Sequence, residues 1–230
     1  MTDPFCTVTA CVFDAYGTIF DVAAPGARYS ERIGDKAATL IKLWRDRQLQ
    51  YTWLRSMMHR HSDFWSITCD SLDYALEAVG RQDDVELRED LLNAYRTLDP
   101  YSDAALVLRL LKENNYQRAI LSNASPVMLS EAVVAAGLED LFSSVLSVEA
   151  VGCYKPDPTV YRHAVQRLDI PPERILFVSA NGWDVAGASA YGLRTVWINR
   201  NKTPVERLDN GPTVQLESLS ELISLLRLPR

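Results

Sequence analysis

Apolar positions along the chain follow two rhythms. Thr7-Val-Thr-Ala-Cys-Val-Phe13 is a short β-rich run that ends at Asp14 with Gly17 close behind, which predicts a buried strand entering a tight loop. Residues 118–122, 144–148, 174–178 and 194–198 repeat the strand pattern. Residues 102–114, 126–136, 158–168 and 183–191 read as helices, and Gly137 and Gly192 stand where helices stop. Strands alternating with such helices predict βαβ units, and hence an α/β fold built on a parallel, Rossmann-like sheet. Ligands bind such sheets at the carboxyl ends of the strands, which points to Asp14, Ser122 and Ser179.

Residues 21–99 break the alternation and read as helices only. Ala37, Leu40, Ile41 and Trp44 recur at helical spacing, and Trp53, Leu54, Met57, Met58, His61, Phe64 and Trp65 extend the pattern. Residues 85–98 add a further amphipathic helix. A helical block between the first strand and the rest of the sheet predicts an all-helical cap over residues 21–99, inserted into a core formed by residues 1–20 and 100–230. A helical subdomain with no part in the site is the plainer alternative.

The 230 residues carry 24 Lys+Arg against 30 Asp+Glu, a net charge of −6, which argues against a nucleic-acid partner. Hydrophobic residues at 47% and charged residues at 23% exclude a disordered chain. No apolar run approaches the ~20 residues that span a bilayer, and Met1-Thr-Asp-Pro-Phe-Cys6 lacks the basic and apolar regions of a signal peptide. The expectation is a soluble cytoplasmic protein with no membrane partner. Cys6, Cys11, Cys69 and Cys153 form no CxxC pair and are expected to be small buried thiols. His59 and His61 lie two apart on an expected helix and so point to different faces, a poor metal pair.

The turns contain neither a dinucleotide fingerprint nor a P-loop, and Ser122 and Ser179 sit in no GxSxG elbow. What remains is Asp14 at the end of a buried strand, where an unpaired carboxylate is costly. Three loops at the same sheet edge offer partners: Ser122-Asn123, Lys155-Pro-Asp-Pro158 and Ser179-Ala-Asn-Gly-Trp-Asp184. A lysine beside Asp14 would hold it ionised, as a nucleophile facing a dry pocket or as half of a structural ion pair.

Phe13-Asp-Ala-Tyr-Gly-Thr18, Leu121-Ser-Asn123, Lys155-Pro-Asp-Pro158 and Ser179-Ala-Asn-Gly-Trp-Asp184 resemble the four loop motifs of the haloacid dehalogenase superfamily. The match covers nearly the whole chain, and the segment Leu43-Trp-Arg-Asp-Arg-Gln-Leu-Gln-Tyr-Thr-Trp53 is similar to the cap of the L-2-haloacid dehalogenases. Mg²⁺-dependent phosphatases of the same superfamily are the close alternative. They place an acid where Tyr16 stands, to protonate an alkoxide, and usually a second one where Ala180 stands, to bind metal. A halide leaves without a proton, and a haloacid carries one charge away from the carbon attacked, so both departures favour the dehalogenase. A catalytically silent binding module would require the whole set of loop groups to be vestigial.

The resemblance implies a two-step reaction without cofactor or metal. Asp14 attacks the α-carbon of an L-2-haloacid opposite the halogen, and water then hydrolyses the resulting ester to a D-2-hydroxy acid. Arg45, with Asn123, is implied to stabilise the departing halide, so its removal should cost on the order of 3 kcal/mol of barrier stabilisation. Thr18, Ser122 and nearby backbone amides match the groups that orient carboxylates. Lys155 matches the charge partner of Asp14, with Tyr161 one turn into the next helix. Ser179, Asn181 and Asp184 match residues that position the ester and its water, with Asp184, Lys155 and Asn181 each a candidate to activate that water. Ala15, Tyr16, Leu49, Phe64 and Trp183 join Arg45, Ser122 and Asn123 in the implied substrate pocket. The residue after the halide arginine is commonly an amide in the family but is Asp46 here, unfavourable beside an anion unless it is paired or faces solvent. The resemblance also implies a homodimer, for which Trp53 or Trp65, taken as exposed, would suit an interface.

Overall fold

A parallel sheet of order β3-β2-β1-β4-β5-β6 forms the centre of the computed structural model, which describes residues 4–229. Met1–Asp3, part of the stretch read above for a targeting signal, lie outside the described residues. The strands are β1 (Ala10–Phe13), β2 (Gln117–Ser122), β3 (Ser144–Ser147), β4 (Ile175–Ser179), β5 (Arg194–Ile198) and β6 (Val214–Leu216). β1 is central: Phe13 pairs with Ile120 on one side and with Val178 on the other. Both β1 and β4 are buried along their whole length, which is why they read as continuous apolar runs rather than as alternating ones. The sheet is wound outward in both directions from β1 and β4, so the ends of these two strands form its topological switch point.

The core helices are α6 (Ala104–Glu113), α7 (Pro126–Ala135), α8 (Pro158–Leu168), α9 (Gly182–Tyr191) and α10 (Glu221–Leu225), numbered after the five helices of the block described next. Their starts are encoded locally. Ser125 caps α7 and Asp157 caps α8, each followed by a proline whose missing N–H costs nothing there. Gly192, at φ 104°, takes the left-handed conformation that ends α9.

Between β1 and β2 the described chain is helical: α1 (Ala24–Arg28), α2 (Ser30–Ile33), α3 (Ala37–Met57), α4 (Phe64–Ala78) and α5 (Val85–Arg96). α3 packs on α4, and α4 on α5. Leu40 and Trp44 of α3, Ile67, Leu72 and Leu76 of α4, and Leu87 and Leu91 of α5 are buried together. Asp63 caps α4 and Asp84 caps α5. Arg32 ties α2 to the start of α5 through Asp84, Glu86 and Asp90.

Several expectations are corrected. The apolar pattern through residues 53–65 is not one continuing helix, because α3 ends at Met57 and His59 adopts a left-handed φ of 55° before Asp63 starts α4. Leu54, Met57 and Met58 are accordingly exposed, and His59 and His61 lie in the connection rather than on a helix. Trp53 and Trp65 are half-buried: Trp53 meets Trp183 edge-on at 5.4 Å, and the Arg96 guanidinium lies 4.3 Å over Trp65. Of the cysteines only Cys11 is fully buried; Cys6 is exposed, and Cys69 and Cys153 are half-buried. The short strand β6 follows a Pro- and Gly-containing stretch and exists because Val214 pairs with Val196, a long-range contact that local pattern does not announce. Among the described residues no helix is long and apolar enough to cross a membrane.

Candidate active site

β1 delivers Asp14 to the switch point, where its backbone N–H donates to Val178 O at 2.9 Å and its side chain is almost wholly buried. Gly17, at φ 92°, turns the following loop back so that Thr18 faces Asp14. Asp14 Oδ2 accepts from Asn181 Nδ2 at 2.8 Å, Thr18 Oγ1 at 3.1 Å and, more weakly, Ser179 Oγ at 3.4 Å. Asp14 Oδ1 accepts from Lys155 Nζ at 3.1 Å. Thr18 also accepts the Ala180 N–H at 2.8 Å, which locks the first loop onto the loop after β4.

Lys155 is 1% exposed and bridges two carboxylates, since its Nζ also donates to Asp184 Oδ2 at 2.8 Å. Burial alone would lower the lysine's pKa, but Asp14 and Asp184 outweigh it and the net shift is upward. Burial pushes the Asp184 carboxyl up to about 6, against the pull of Lys155. The Tyr161 hydroxyl donates to Asp184 Oδ1 at 2.7 Å, and burial followed by the Asp184 charge raises its pKa well above 10.0. Tyr161 therefore meets Asp184, with Lys155 between it and Asp14.

The loop after β2 enters through Asn123, whose Oδ1 accepts the Lys155 N–H at 3.0 Å. Ser122 is buried, and its Oγ accepts the Ala124 N–H at 3.2 Å. Asn123 thus fixes the backbone that carries the lysine. Ala15, fully buried, anchors the first loop by accepting the N–H groups of Thr18, Ile19 and Phe20 at its carbonyl.

The helical block supplies the opposite wall. The Tyr16 ring stacks on Tyr95 at 5.4 Å and tilts against Phe64 at 6.3 Å, and its buried hydroxyl has no hydrogen-bond partner. Burial raises the pKa of Tyr95; Arg45 opposes the shift and Asp14 adds to it, so charges from α3 and from β1 meet at one hydroxyl. Arg45 Nη1 donates to Gln48 Oε1 at 2.6 Å, and Tyr95 Oη donates to the same oxygen at 3.1 Å. Leu49 is half-buried on α3, and Trp183 is half-buried on α9. A cavity of about 530 Å³ lies beside Trp183, with Trp53, Tyr154 and Pro156 among its walls. Asp46 points to solvent and pairs with Lys42 one turn earlier, which removes the conflict with a departing anion.

Sequence reasoning missed Gln48, Thr68 and Tyr95. One signal was available: Leu40, Trp44, Gln48 and Thr52 form a buried stripe at intervals of one turn, in which the amide is out of place unless it is bonded. Among the described residues no three His, Cys, Asp or Glu side chains are grouped to hold a metal ion.

A strand-end aspartate is thus paired to a buried lysine at the switch point of the sheet, under a wall of helices. The sequence model of the haloacid dehalogenase-like hydrolases matches residues 8–192, and the chain belongs to that family. It is 45% identical to (S)-2-haloacid dehalogenase 1 of Pseudomonas sp. (strain CBS-3), across 95% of this chain and 96% of that protein. It is 43% identical to (S)-2-haloacid dehalogenase 4A of Burkholderia cepacia, across 96% and 95%. The solved L-2-haloacid dehalogenase of Xanthobacter autotrophicus with chloropropionic acid covalently bound superimposes with a TM-score of 0.88 at 35% identity, covering 96% of this chain and 98% of that one.

Proposed function

We propose that the protein hydrolyses L-2-haloacids to D-2-hydroxy acids with inversion, through an ester on Asp14. The observation that carries this reading is a buried aspartate gripped by a lysine, with Tyr16 and not an acid two positions on. The covalent chloropropionate complex of the Xanthobacter relative supports it.

Asp14 Oδ2 is held by three donors, whereas Oδ1 faces Lys155 alone; Oδ1 keeps the freer lone pairs and is the attacking oxygen. In the first step the Oδ1–Cα bond forms as the carbon–halogen bond breaks, and halide departs with the bonding pair towards Arg45 and Asn123. Hydrogen-bond donors placed where that charge develops lower the barrier. In the second step water attacks the Asp14 carboxyl carbon. The acyl–oxygen bond breaks, and one proton of the water passes to the leaving alkoxide so that the hydroxy acid departs with the former Oδ1. The other proton is released to solvent, and Asp14 regains its carboxylate with the water's oxygen. Since the α-carbon is not touched again, inversion is kept. Ser179, Asn181 and Asp184 hold the ester and the water, and Tyr16, Phe64, Leu49 and Trp183 keep bulk solvent out.

In this reading residues 21–99 act as a cap on a core of residues 1–20 and 100–230. Lys155 already holds both buried carboxylates, and Ala180 offers no ligand where the phosphatases usually carry an acid. The reaction is therefore metal-independent. The protein acts in the cytoplasm, which suits its four free cysteines. It works as a homodimer, and exposed Leu54, Met57 and Met58 support a contact at the end of α3.

Halide release from each enantiomer of 2-chloropropionate in EDTA, beside p-nitrophenyl phosphate with Mg²⁺, tests the reading. Chloride from the L-enantiomer alone is expected. Phosphate release without chloride would replace the dehalogenase with a phosphatase.

A further inference from the structure

The wall opposite Asp14 contains a buried amide, bonded at both its oxygen and its nitrogen, that the reaction as described does not use. Gln48 lies on α3 one turn beyond Arg45 and is 1% exposed. Its Oε1 accepts from Arg45 Nη1 at 2.6 Å and from Tyr95 Oη at 3.1 Å, and its Nε2 donates to Thr68 Oγ1 at 2.7 Å. Thr68, itself buried, passes its hydroxyl hydrogen to Phe64 O at 2.8 Å, and the Trp44 indole donates to Thr68 O at 3.0 Å. One side chain on α3 is thereby fixed to α4 through Thr68 and to α5 through Tyr95.

A buried amide costs stability unless its polar atoms are bonded, and a leucine would pack the same stripe without that demand. The amide does something a leucine cannot: it grips a half-buried guanidinium from one side. It does so with a neutral acceptor. A carboxylate in its place would hold Arg45 more tightly but would cancel the charge that an arriving anion needs. The nearest carboxylate in sequence, Asp46, pairs with Lys42 at the surface.

We infer that Gln48 is a positioning residue that fixes the Arg45 guanidinium for the departing halide while leaving its charge unspent; this rests on the dehalogenase reading given above. Gln48→Met preserves length and apolar volume but removes the acceptor of both Arg45 and Tyr95. In single-turnover reactions it should slow ester formation from 2-chloropropionate by about ten- to a hundredfold, less than the roughly 10²–10³-fold cost of removing an oriented donor outright, because Arg45 itself remains. Chloride, the poorer leaving group, depends more on stabilisation than bromide, so the bromide-to-chloride rate ratio should rise several-fold. Hydrolysis of the preformed ester should keep its wild-type rate. A purely structural role would lower the active fraction and leave the ratio unchanged, and that result overturns the inference. Should Gln48→Met fail to fold, Tyr95→Phe removes one of the two bonds to Gln48 Oε1 and should move the ratio in the same direction by less; an unchanged ratio there counts equally against it. If the wild-type protein releases no halide from either substrate, the dehalogenase reading fails and takes this inference with it. A halide-releasing wild type with a ratio-neutral Gln48→Met sinks the inference alone.

Discussion

Lys155 Nζ lies 2.8 Å from Asp184 Oδ2 and is 1% exposed, so its tightest partner is the carboxylate at the start of α9 and not Asp14, 3.1 Å away. Two anions and one cation thus share a buried site with a net charge of −1. The excess charge is held by neutral donors: Asn181 and Thr18 on Asp14, and Tyr161 on Asp184. Asp184 anchors the same ammonium that meets Asp14, so the position of the lysine is fixed from two sides.

Lys155→Met should therefore do more than silence the reaction. It leaves two buried carboxylates facing each other with no cation, and breaking a buried pair in this way costs about 3–5 kcal/mol. Urea denaturation at neutral pH should show the loss as a lower midpoint at unchanged slope. An unaltered midpoint would mean that the ion pairs contribute nothing to folding.

Asp184 gives the site a pH dependence. Its carboxyl titrates near 6 in the folded protein, above the ordinary 3.8, so folding favours its protonated form. That contribution to stability is complete below pH 3.8 and is lost as the pH rises through about 6. Activity runs the other way. The ionised form is the one that anchors Lys155, so the rate should fall as the pH drops through about 6. Asp184→Asn should give a slower enzyme whose pH–rate profile lacks that inflection. If the inflection survives in the variant, the titrating group lies elsewhere.

Asp14→Asn should abolish covalent capture. The substitution turns an acceptor-only group, surrounded by the donors of Asn181, Thr18 and Lys155, into one that presents an N–H to at least one of them. Mass spectrometry of acid-quenched wild type should find the substrate-derived adduct on the peptide containing residue 14. An adduct persisting on any other residue of the variant would remove Asp14 from its role.

Much of this arrangement was legible in the sequence because it is written locally. The strand ending at Asp14, the proline-led starts of α7 and α8 and the glycine that closes α9 each depend on a few adjacent residues. The loop motifs brought the remaining charges to one sheet edge. What escaped depends on distant partners. Residues 53–65 carry apolar side chains at helical spacing, yet the chain breaks at His59, which leaves Leu54, Met57 and Met58 exposed while Phe64 is buried. Gln48 is polar at a buried position and makes sense only once Thr68 and Tyr95, 20 and 47 residues away, are brought against it. Tyr161 is expected from the sequence one turn into the helix after Lys155, but the partner of its hydroxyl, Asp184, lies 23 residues away and is set by the fold.

Asp46 supplies a control. Its side chain is 55% exposed and paired with Lys42 on the same helix, a surface pair separated by one turn. Such pairs contribute about 0.3–0.5 kcal/mol. Asp46→Asn should leave kcat/KM for the chloro and bromo substrates within about twofold of wild type, since exposed charges are screened. A marked change in leaving-group preference would show that Asp46 acts on the site despite facing water.

Gly187 tests how closely the packing behind the site must fit. It lies inside α9 with ordinary helical geometry, so replacing it with alanine should by itself stabilise the helix by about 1 kcal/mol. A Cβ there, however, would stand 2.5 Å from Pro156 Cβ and 2.7 Å from the Tyr161 hydroxyl. Pro156 follows the lysine directly and is ring-locked, and the hydroxyl is bonded to Asp184, so neither neighbour yields freely. Overpacking of this kind costs about 1–3 kcal/mol, which offsets or exceeds the helical gain. Gly187→Ala should therefore unfold at a lower temperature than wild type and release halide more slowly, because the same overlap pushes on Lys155 and on the Tyr161–Asp184 bond together. A variant that is more stable and fully active would show that α9 can move away from the lysine loop at no cost, and that the close approach of the two is incidental to the site.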